Sequence, residues 1–247
     1  MKTIQIRFLG SGDTFGSGGR FQTCILVETP KSQFLVDCGA SSLISMHRFH
    51  VDPNAIQMIL LTHLHGDHFG GLPFFILDAQ LISKRTQPLM IAGPLGTKTR
   101  VMELMEAMFP GSSKTQQKFS LEIVELELEC PRLLGDITVT PYVVQHPSGA
   151  PPLALRIECE GKIIAYSGDT EWIDTLIPAA KGADLFIAEA YFFEKKVKFH
   201  LDFQTLMAHI DELQPKRLIV THMSEDMLAR LETLPCEYAE DGKIIEL

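Results

Sequence analysis

The most informative stretch of this chain is Thr62-His63-Leu64-His65-Gly66-Asp67-His68-Phe69-Gly70-Gly71. Four of its side chains are of the metal-ligand type. His63 and His65 are two residues apart, so an extended backbone directs both to the same side. Asp67 and His68 follow the flexible Gly66 and can turn toward a second ion. Because neutral imidazole and carboxylate groups are the ligands that zinc uses, the stretch predicts a metal site rather than a solvated loop.

Three more polar side chains follow predicted strands, as the histidine-rich stretch follows the apolar run at residues 58–61. They are His146, Asp169 and His222, which come after apolar runs at residues 137–144, 163–166 and 218–220. In α/β proteins, sites gather beyond the carboxyl ends of strands, so we expect these side chains at one edge. Each of these three residues, taken alone, fits an ordinary polar position as well as it fits a metal site. Together with the histidine-rich stretch they favour one shared site.

Strand-like and helix-like patterns alternate along both halves of the chain. Helical spacing of apolar residues predicts helices at residues 72–81, 97–109 and 203–213, the last with Asp202 as its N-cap. Further strands are predicted at residues 4–8, 24–27, 34–36, 89–91, 121–128, 153–157 and 185–188. This mixture predicts an α/β layered fold, with residues 1–247 as a single domain. Periodicity alone does not specify how the sheets stack.

Composition and charge exclude several classes of protein. The chain has 247 residues, a net charge of −9 and a sequence pI near 5.5, which argues against a nucleic-acid surface. A small anionic substrate remains compatible, because a bound metal reverses the local field. No apolar run is long enough for a membrane span, and the N-terminus does not look like a signal peptide. The five scattered cysteines suggest a reducing, cytoplasmic setting.

The motif His63-x-His65-x-Asp67-His68, with the three downstream residues, resembles the signature of metallo-β-lactamase-fold hydrolases over nearly the whole chain. The resemblance implies a four-layer αβ/βα sandwich with the site in the cleft between its sheets. It also implies two divalent metal ions. The first would be held by His63, His65 and His146, the second by Asp67, His68 and His222, with Asp169 bridging them. Zinc is favoured, although manganese and iron accept the same ligands.

A narrower resemblance is to ribonuclease Z and its phosphodiesterase relatives. It rests on the stretches Phe8-Leu9-Gly10-Ser11-Gly12, Phe34-Leu35-Val36-Asp37-Cys38-Gly39, Ile91-Ala92-Gly93-Pro94 and Ala188-Glu189-Ala190-Tyr191. In that branch a Glu and a His at the places of Glu189 and His200 assist proton delivery to the leaving group. Ala188 departs from the branch, which usually has His there. The branch is commonly dimeric, so a homodimer is compatible.

The transfer-RNA arm of ribonuclease Z has no counterpart in this chain. In ribonuclease Z the arm is inserted between the counterparts of His146 and Asp169. Here that interval is only 169 − 146 = 23 positions, and a Pro-rich turn and two predicted strands fill it. With the negative net charge, this departure disfavours transfer RNA as a partner and favours a small-molecule substrate.

We therefore predict a metal-dependent hydrolase in which two ions activate a water as hydroxide. The favoured activity is that of a phosphodiesterase on small or nucleotide-like diesters. Asp67, as ligand or as the residue that orients the hydroxide, and His200, as general acid supported by Glu189, are the candidate catalytic residues. The alternatives are hydrolysis of a carboxylic ester, thioester, lactone or β-lactam, a non-hydrolytic iron oxygenase, and a catalytically silent ligand-binding relative.

Two weaker signals lie outside the metal motif. The segment from Gly10 to Gly16 superficially resembles a phosphate-binding loop, but Phe15 stands where the dinucleotide pattern needs its third glycine. We favour a tight loop near the metal cleft. Tyr191 and the two phenylalanines after it either line a pocket for a base or acyl chain or pack in the core, and the core is favoured for at least two of them.

Overall fold

The computed structural model describes residues 3–247; Met1 and Lys2 of the predicted domain lie outside them, and the single-domain assignment stays a prediction. Two mixed sheets of seven strands each form the centre of the fold. The strands are β1 Gln5–Gly10, β2 Cys24–Glu28, β3 Gln33–Val36, β4 Met58–Leu60, β5 Leu89–Gly93, β6 Leu121–Glu125, β7 Arg132–Leu134, β8 Ile137–Val143, β9 Leu153–Cys159, β10 Lys162–Tyr166, β11 Leu185–Glu189, β12 Leu218–Thr221, β13 Glu237–Tyr238 and β14 Ile244–Glu246.

The helices are short and connect the strands. They are α1 Ser42–Arg48, α2 Gly66–Phe69, α3 Leu72–Leu81, α4 Thr97–Met108, α5 Leu176–Ala180, α6 Phe203–Ala208, α7 Ile210–Leu213 and α8 Glu225–Leu228. Within residues 3–247, none of them has the length and apolarity that a membrane crossing requires.

The order of the layers follows from three apolar clusters. One cluster joins residues of both sheets, such as Phe34 and Leu155, and so lies between the sheets. A second packs α1, α3 and α4 on the outer face of the first sheet, and a third packs α5 and α6 on the outer face of the second. Burying one face of each helix and both faces of each sheet gives four layers. The predicted αβ/βα sandwich is therefore confirmed.

The strand directions bring the site residues to one edge. The first sheet has the order β14-β1-β2-β3-β4-β5-β6, and β3 to β6 run parallel. The second has the order β13-β12-β11-β10-β9-β8-β7, with β10 to β13 parallel. Strands β8 and β10 both pair antiparallel with β9, so they share a direction. The loops after β8, β10, β11 and β12 therefore lie at one edge of the second sheet. The loop after β4 meets them there, since His65 Nδ1 lies 3.0 Å from His146 Nε2.

Two predicted elements differ from the structure. The helix predicted at residues 203–213 is two helices, because His209 leaves helical geometry at φ −105° and ψ 8°. The strand predicted at residues 121–128 ends at Glu125, because its neighbour β5 ends at the paired residue Gly93. The N-cap prediction is confirmed, since the Asp202 carboxylate accepts a hydrogen bond from the Thr205 backbone at 2.8 Å.

Candidate metal centre

The histidine-rich stretch leaves β4 extended and turns into α2. His65 has φ −85° and ψ 152°, and helix α2 begins at Gly66, so Asp67 and His68 lie in its first turn. The extended part carries His63 and His65 on one side, as the sequence predicts. The helical part directs Asp67 and His68 to a neighbouring point. One short segment thus supplies ligand-type atoms to two adjacent clusters.

The first cluster consists of His63, His65 and His146. The His65 Nδ1 and His146 Nε2 atoms lie 3.0 Å apart. The other ring nitrogen of each donates to a backbone carbonyl: His65 Nε2 to Pro147 at 3.1 Å and His146 Nδ1 to Phe199 at 2.9 Å. In neutral imidazoles the two facing nitrogens then carry lone pairs, which repel each other unless a cation lies between them. This arrangement suits a metal ion.

The second cluster consists of Asp67, His68, Asp169 and His222, all buried. The Asp67 Oδ2 atom lies 3.4 Å from His68 Nε2 and 3.3 Å from His222 Nε2. The Asp169 carboxylate lies 3.3 Å from His68 Nε2 and 3.4 Å from His222 Nε2. Two carboxylates and two imidazoles thus converge on one small volume, which is a donor set for a divalent metal.

Asp169 lies between the two clusters. Its Oδ2 atom is 3.8 Å from His63 Nε2 and 4.0 Å from His146 Nε2 in the first cluster, and 3.4 Å from His222 Nε2 in the second. Its Oδ1 atom faces His68 in the second. One carboxylate therefore reaches both groups of histidines, as a residue shared by two ions would.

A second layer of hydrogen bonds fixes the rings. The Asp37 Oδ2 atom lies 2.7 Å from His68 Nδ1, and its Oδ1 atom accepts from the Thr62 backbone at 2.8 Å. The Thr62 hydroxyl donates to Asp37 at 2.8 Å and lies 3.0 Å from His63 Nδ1. These contacts direct the Nε2 atoms of both histidines into the clusters. Such outer partners orient ligands and tune a metal site.

Charge around the second cluster is arranged for a cation. Burial opposes the charged form of His68, but the carboxylates of Asp169 and Asp67 outweigh it, and its pKa lies well above the ordinary value. For His222 the same balance between burial and Asp169 raises the pKa. Burial and the nearby His68 instead hold the pKa of His63 well below its ordinary value. The second cluster thus favours protons on His68 and His222. A divalent ion that displaces these protons supplies the positive charge in their place.

Unpaired buried atoms test whether a metal fits. Among the described residues, His63 Nε2, His68 Nε2 and Asp169 Oδ1 are buried without a hydrogen-bond partner. Leaving a buried polar atom unpaired costs about 1–3 kcal/mol. All three atoms belong to the two clusters, so this cost is removed if ions bind there. The residues present therefore fit divalent metal binding.

Glu189 and His200 form a pair at the edge of the second cluster. His200 Nδ1 lies 2.5 Å from Glu189 Oε1. Glu189 is fully buried at the end of β11, and its other oxygen accepts from the Thr170 backbone at 2.9 Å. Burial opposes protonation of His200, but the hydrogen bond and charge of Glu189 outweigh it and raise the pKa of the ring. His200 is thus a partly exposed imidazole beside the metal centre that keeps its proton to higher pH than a free histidine.

The clusters form the floor of an open cavity of about 390 Å³. Its wall includes Tyr191, whose ring lies 4.7 Å from that of His200. Phe15 and Thr14, from the loop after β1, also line the cavity. The cavity is within the usual size range of small-molecule sites. The prediction that the loop at residues 10–16 lies near the metal cleft is therefore confirmed.

Strained and crowded backbone also marks this edge. Asp37 and His222 have φ values of 60° and 56°, in the left-handed region that costs energy for residues with a Cβ. A Cβ on Gly39 would lie 2.3 Å from the Asp67 carbonyl oxygen. The turn after β3 therefore packs directly on the metal-binding segment, and only glycine permits that approach.

Comparison with known proteins identifies the family. Residues 4–244 match the family described as anti-Pycsar protein Apyc1. This chain belongs to the Apyc1 family.

Relatives and solved structures place the Apyc1-family chain among known folds. It is 24% identical to a ribonuclease Z of Methanosarcina acetivorans, over 90% of this chain and 88% of that protein. The metallo-β-lactamase-fold protein YhfI of Bacillus subtilis superposes with a TM-score of 0.78 at 21% identity, covering 99% and 100% of the two chains. A diphosphatase of the PhnP family superposes with a TM-score of 0.80 at 18% identity, covering 99% and 98%.

These matches confirm two predictions for the Apyc1-family chain. It has the metallo-β-lactamase fold, and it is related to ribonuclease Z-like hydrolases. By its relatives and its clusters of ligand-type groups, it is a metal-dependent hydrolase. The structure also brings together all of the predicted ligand residues, which are His63, His65, Asp67, His68, His146, Asp169 and His222.

Sequence reasoning missed several groups at the site. The Thr62 hydroxyl contacts both Asp37 and His63, although its place just before the motif was a usable signal. The Phe199 carbonyl, which holds His146, and the Thr170 amide, which holds Glu189, are backbone atoms without any sequence signal. They become visible only when the loops after β8, β10 and β11 are brought together.

Proposed function

We propose that this chain is a binuclear metal-dependent phosphodiesterase that acts on small or nucleotide-like phosphodiesters. The observation that carries the proposal is the position of the Glu189–His200 pair beside two adjoining clusters of metal-ligand groups. Relatives named ribonuclease Z and a structural neighbour named diphosphatase support a phosphorus-centred reaction.

The ligand sets follow the two clusters. His63, His65 and His146 would hold one ion, Asp67, His68 and His222 the other, and Asp169 would be shared. Zinc is the favoured metal because five imidazoles and two carboxylates suit it, and manganese and iron accept the same donors. When bound, such a pair supplies Lewis acidity and a hydroxide nucleophile at neutral pH.

The residues of the chain position the reaction and move its proton. His200 holds a proton because Glu189 raises its pKa, and its side chain is 23% exposed toward the cavity. It donates that proton to the departing alkoxide when the P–O bond breaks. Glu189 Oε1 then stabilises the ring in its orientation. Asp67 lies at the cavity floor, where it acts as a ligand and orients the nucleophile.

Substrate size is limited by the same loops. Strands β9 and β10 fill the short interval between His146 and Asp169, where ribonuclease Z has its transfer-RNA arm. Together with the net charge of −9, this favours a small anionic diester over transfer RNA. A cytoplasmic location and a homodimer remain predictions.

The test is hydrolysis of a generic aryl phosphodiester by metal-analysed protein, with Asp169→Ala as the control. We expect turnover that follows the content of about two bound ions and collapses in Asp169→Ala. Protein with two bound ions and no turnover on phosphodiesters, but turnover on lactones or thioesters, would replace this proposal with the acyl-hydrolase alternative.

A further inference from the structure

An exposed aromatic ring stands at the mouth of the metal-site cavity. Phe15 is 79% exposed, yet it lines the same cavity as Asp67 and His222. Single exposed apolar residues are normal on protein surfaces, so exposure alone carries no meaning. What distinguishes Phe15 is that its ring borders the place where a substrate must enter.

The loop that carries Phe15 is rigidly built. The buried Asp13 carboxylate accepts from the Ser17 backbone at 2.9 Å and from the Ser17 hydroxyl at 2.8 Å, and so closes a turn around Phe15. The Gly18 amide donates to Glu225 Oε1 at 2.8 Å, which ties the loop to α8. Gly16, the residue after Phe15, has φ 69°, in the left-handed region that glycine adopts readily. These contacts therefore fix the backbone of the loop on both sides of Phe15.

The cavity is lined both by polar metal-ligand groups and by aromatic rings. Its floor holds the ligand-type groups, which suit a phosphodiester, whereas Phe15 and Tyr191 line its sides. Tyr191 is packed against His200 and Phe192, with ring centroids 4.7 and 4.8 Å apart. A diester whose phosphorus lay beside these ligand-type groups would bring its organic substituent within the same cavity as the two rings. The substituent that such a ring recognises best is a planar heterocycle.

We propose that Phe15 is a specificity-determining residue that stacks on the base of a nucleotide-like diester. The inference rests on the proposed phosphodiesterase function and extends it, because it assigns the recognition of the base to one side chain outside the metal centre. The ring contributes to substrate binding and leaves the chemistry at the floor unchanged. Aromatic stacking is tolerant of base identity. Phe15 therefore favours diesters that carry a base over diesters without one, but does not distinguish between bases.

The experiment compares a cyclic adenine nucleotide with the matched ribose cyclic phosphate that carries a methyl group instead of the base. Phe15→Ala and Phe15→Leu should raise KM for the nucleotide about tenfold with little change in kcat. Phe15→Trp should keep KM near that of the unchanged protein. None of these variants should alter kinetics on the base-free diester. Ile82→Ala, at a residue 73% exposed elsewhere, is the control for loss of surface apolar area.

Three results would overturn the assignment. They are an equal loss on both diesters, an unchanged preference for the base in Phe15→Ala, and a change in oligomeric state of Phe15→Ala by sedimentation. The last would place the ring in a subunit interface.

Binding separates this inference from the proposed function. Calorimetric titration of the metal-loaded protein with a nucleoside monophosphate and with ribose phosphate measures base recognition without turnover. If the unchanged protein hydrolyses neither diester, the proposed function fails. The stacking role still holds when the nucleotide binds about tenfold more tightly and Phe15→Ala removes that difference, and it fails when the two ligands bind equally.

Discussion

Asp37 and His68 are joined by a 2.7 Å contact between Oδ2 and Nδ1, deep below the metal centre. Both side chains are fully buried. Asp37 also accepts two hydrogen bonds from Thr62, so its carboxylate is the point where β3, the end of β4 and α2 meet. The orientation of one ligand-type ring thus depends on a residue that itself does not enter either cluster.

The contact between Asp37 and His68 should strengthen metal binding. Asp37→Asn should lower the affinity for divalent metal about 10- to 100-fold, because the amide is a weaker acceptor for His68 and directs an NH₂ group at one of its donors. Competition with a chromogenic chelator measures the change. Asp184→Asn, which alters a carboxylate bonded to Ile163 and Lys216 away from the site, is the control. Equal metal affinity in both variants would contradict the role of Asp37.

Loss of the proposed acid should depend on the leaving group. His200→Ala is expected to reduce kcat about 10²- to 10⁴-fold on a diester with an alkyl alkoxide leaving group. It should have little effect on a nitrophenyl diester, whose leaving group departs without a proton. His209→Ala changes a histidine that is paired with Glu212 and stacked on Trp172 at 3.7 Å, and should leave both rates unchanged. Equal losses in His200→Ala on both substrates would remove the acid role.

The pH profile gives a further prediction for the pair. The pKa of His200 is raised, so its acid form persists to higher pH and is lost as pH rises through that value. Glu189→Gln removes the charge that raises it, so the basic limb of kcat should move to lower pH. The ratio of alkoxide to nitrophenolate rates isolates this effect from changes at the metal centre. If the basic limb of this rate ratio lies at the same pH in Glu189→Gln as in the unchanged protein, a group other than His200 is responsible for it.

Metal removal should lower stability. The two clusters leave buried nitrogens and a carboxylate oxygen unpaired in the described chain, and ions that bind only the folded state stabilise it. Each ion, at about 1,000 times its Kd, should add about 4 kcal/mol to the free energy of unfolding. Urea titration with and without chelator measures the difference, and Asp169→Asn should show a much smaller one. The same difference in Asp169→Asn would place the stabilising ions elsewhere.

Arg85 should be a structural residue of the first sheet. It is 1% exposed, and its guanidinium donates to the carbonyls of Ile56 at 2.6 Å and Pro88 at 2.7 Å, among others. Arg85→Met leaves these acceptors unsatisfied and should cost about 2–5 kcal/mol in urea unfolding. Arg100→Met, which breaks an exposed ion pair with Glu103, should cost less than about 1 kcal/mol. Similar costs in the two variants would contradict the burial argument.

Much of the fold could be read from short-range patterns. The alternation at residues 4–8 and the apolar spacing at residues 97–109 correspond to β1 and α4, because burial of one face selects the period. The single helix expected at residues 203–213 was wrong, because apolar spacing does not register the break at His209. That break depends on local backbone geometry rather than on the apolar face.

The sequence by itself determined the candidate ligands, since their residue types and spacing restrict which chemistry is possible, and it determined the superfamily through one dense motif. Tertiary structure alone decided which groups meet. Asp169 lies between two clusters because β8, β10 and β12 point the same way, and Glu189 reaches His200 across an eleven-residue interval. The backbone partners of His65 and His146 carry no side-chain signal. Such contacts arise from packing between distant segments, whose energies no local pattern encodes.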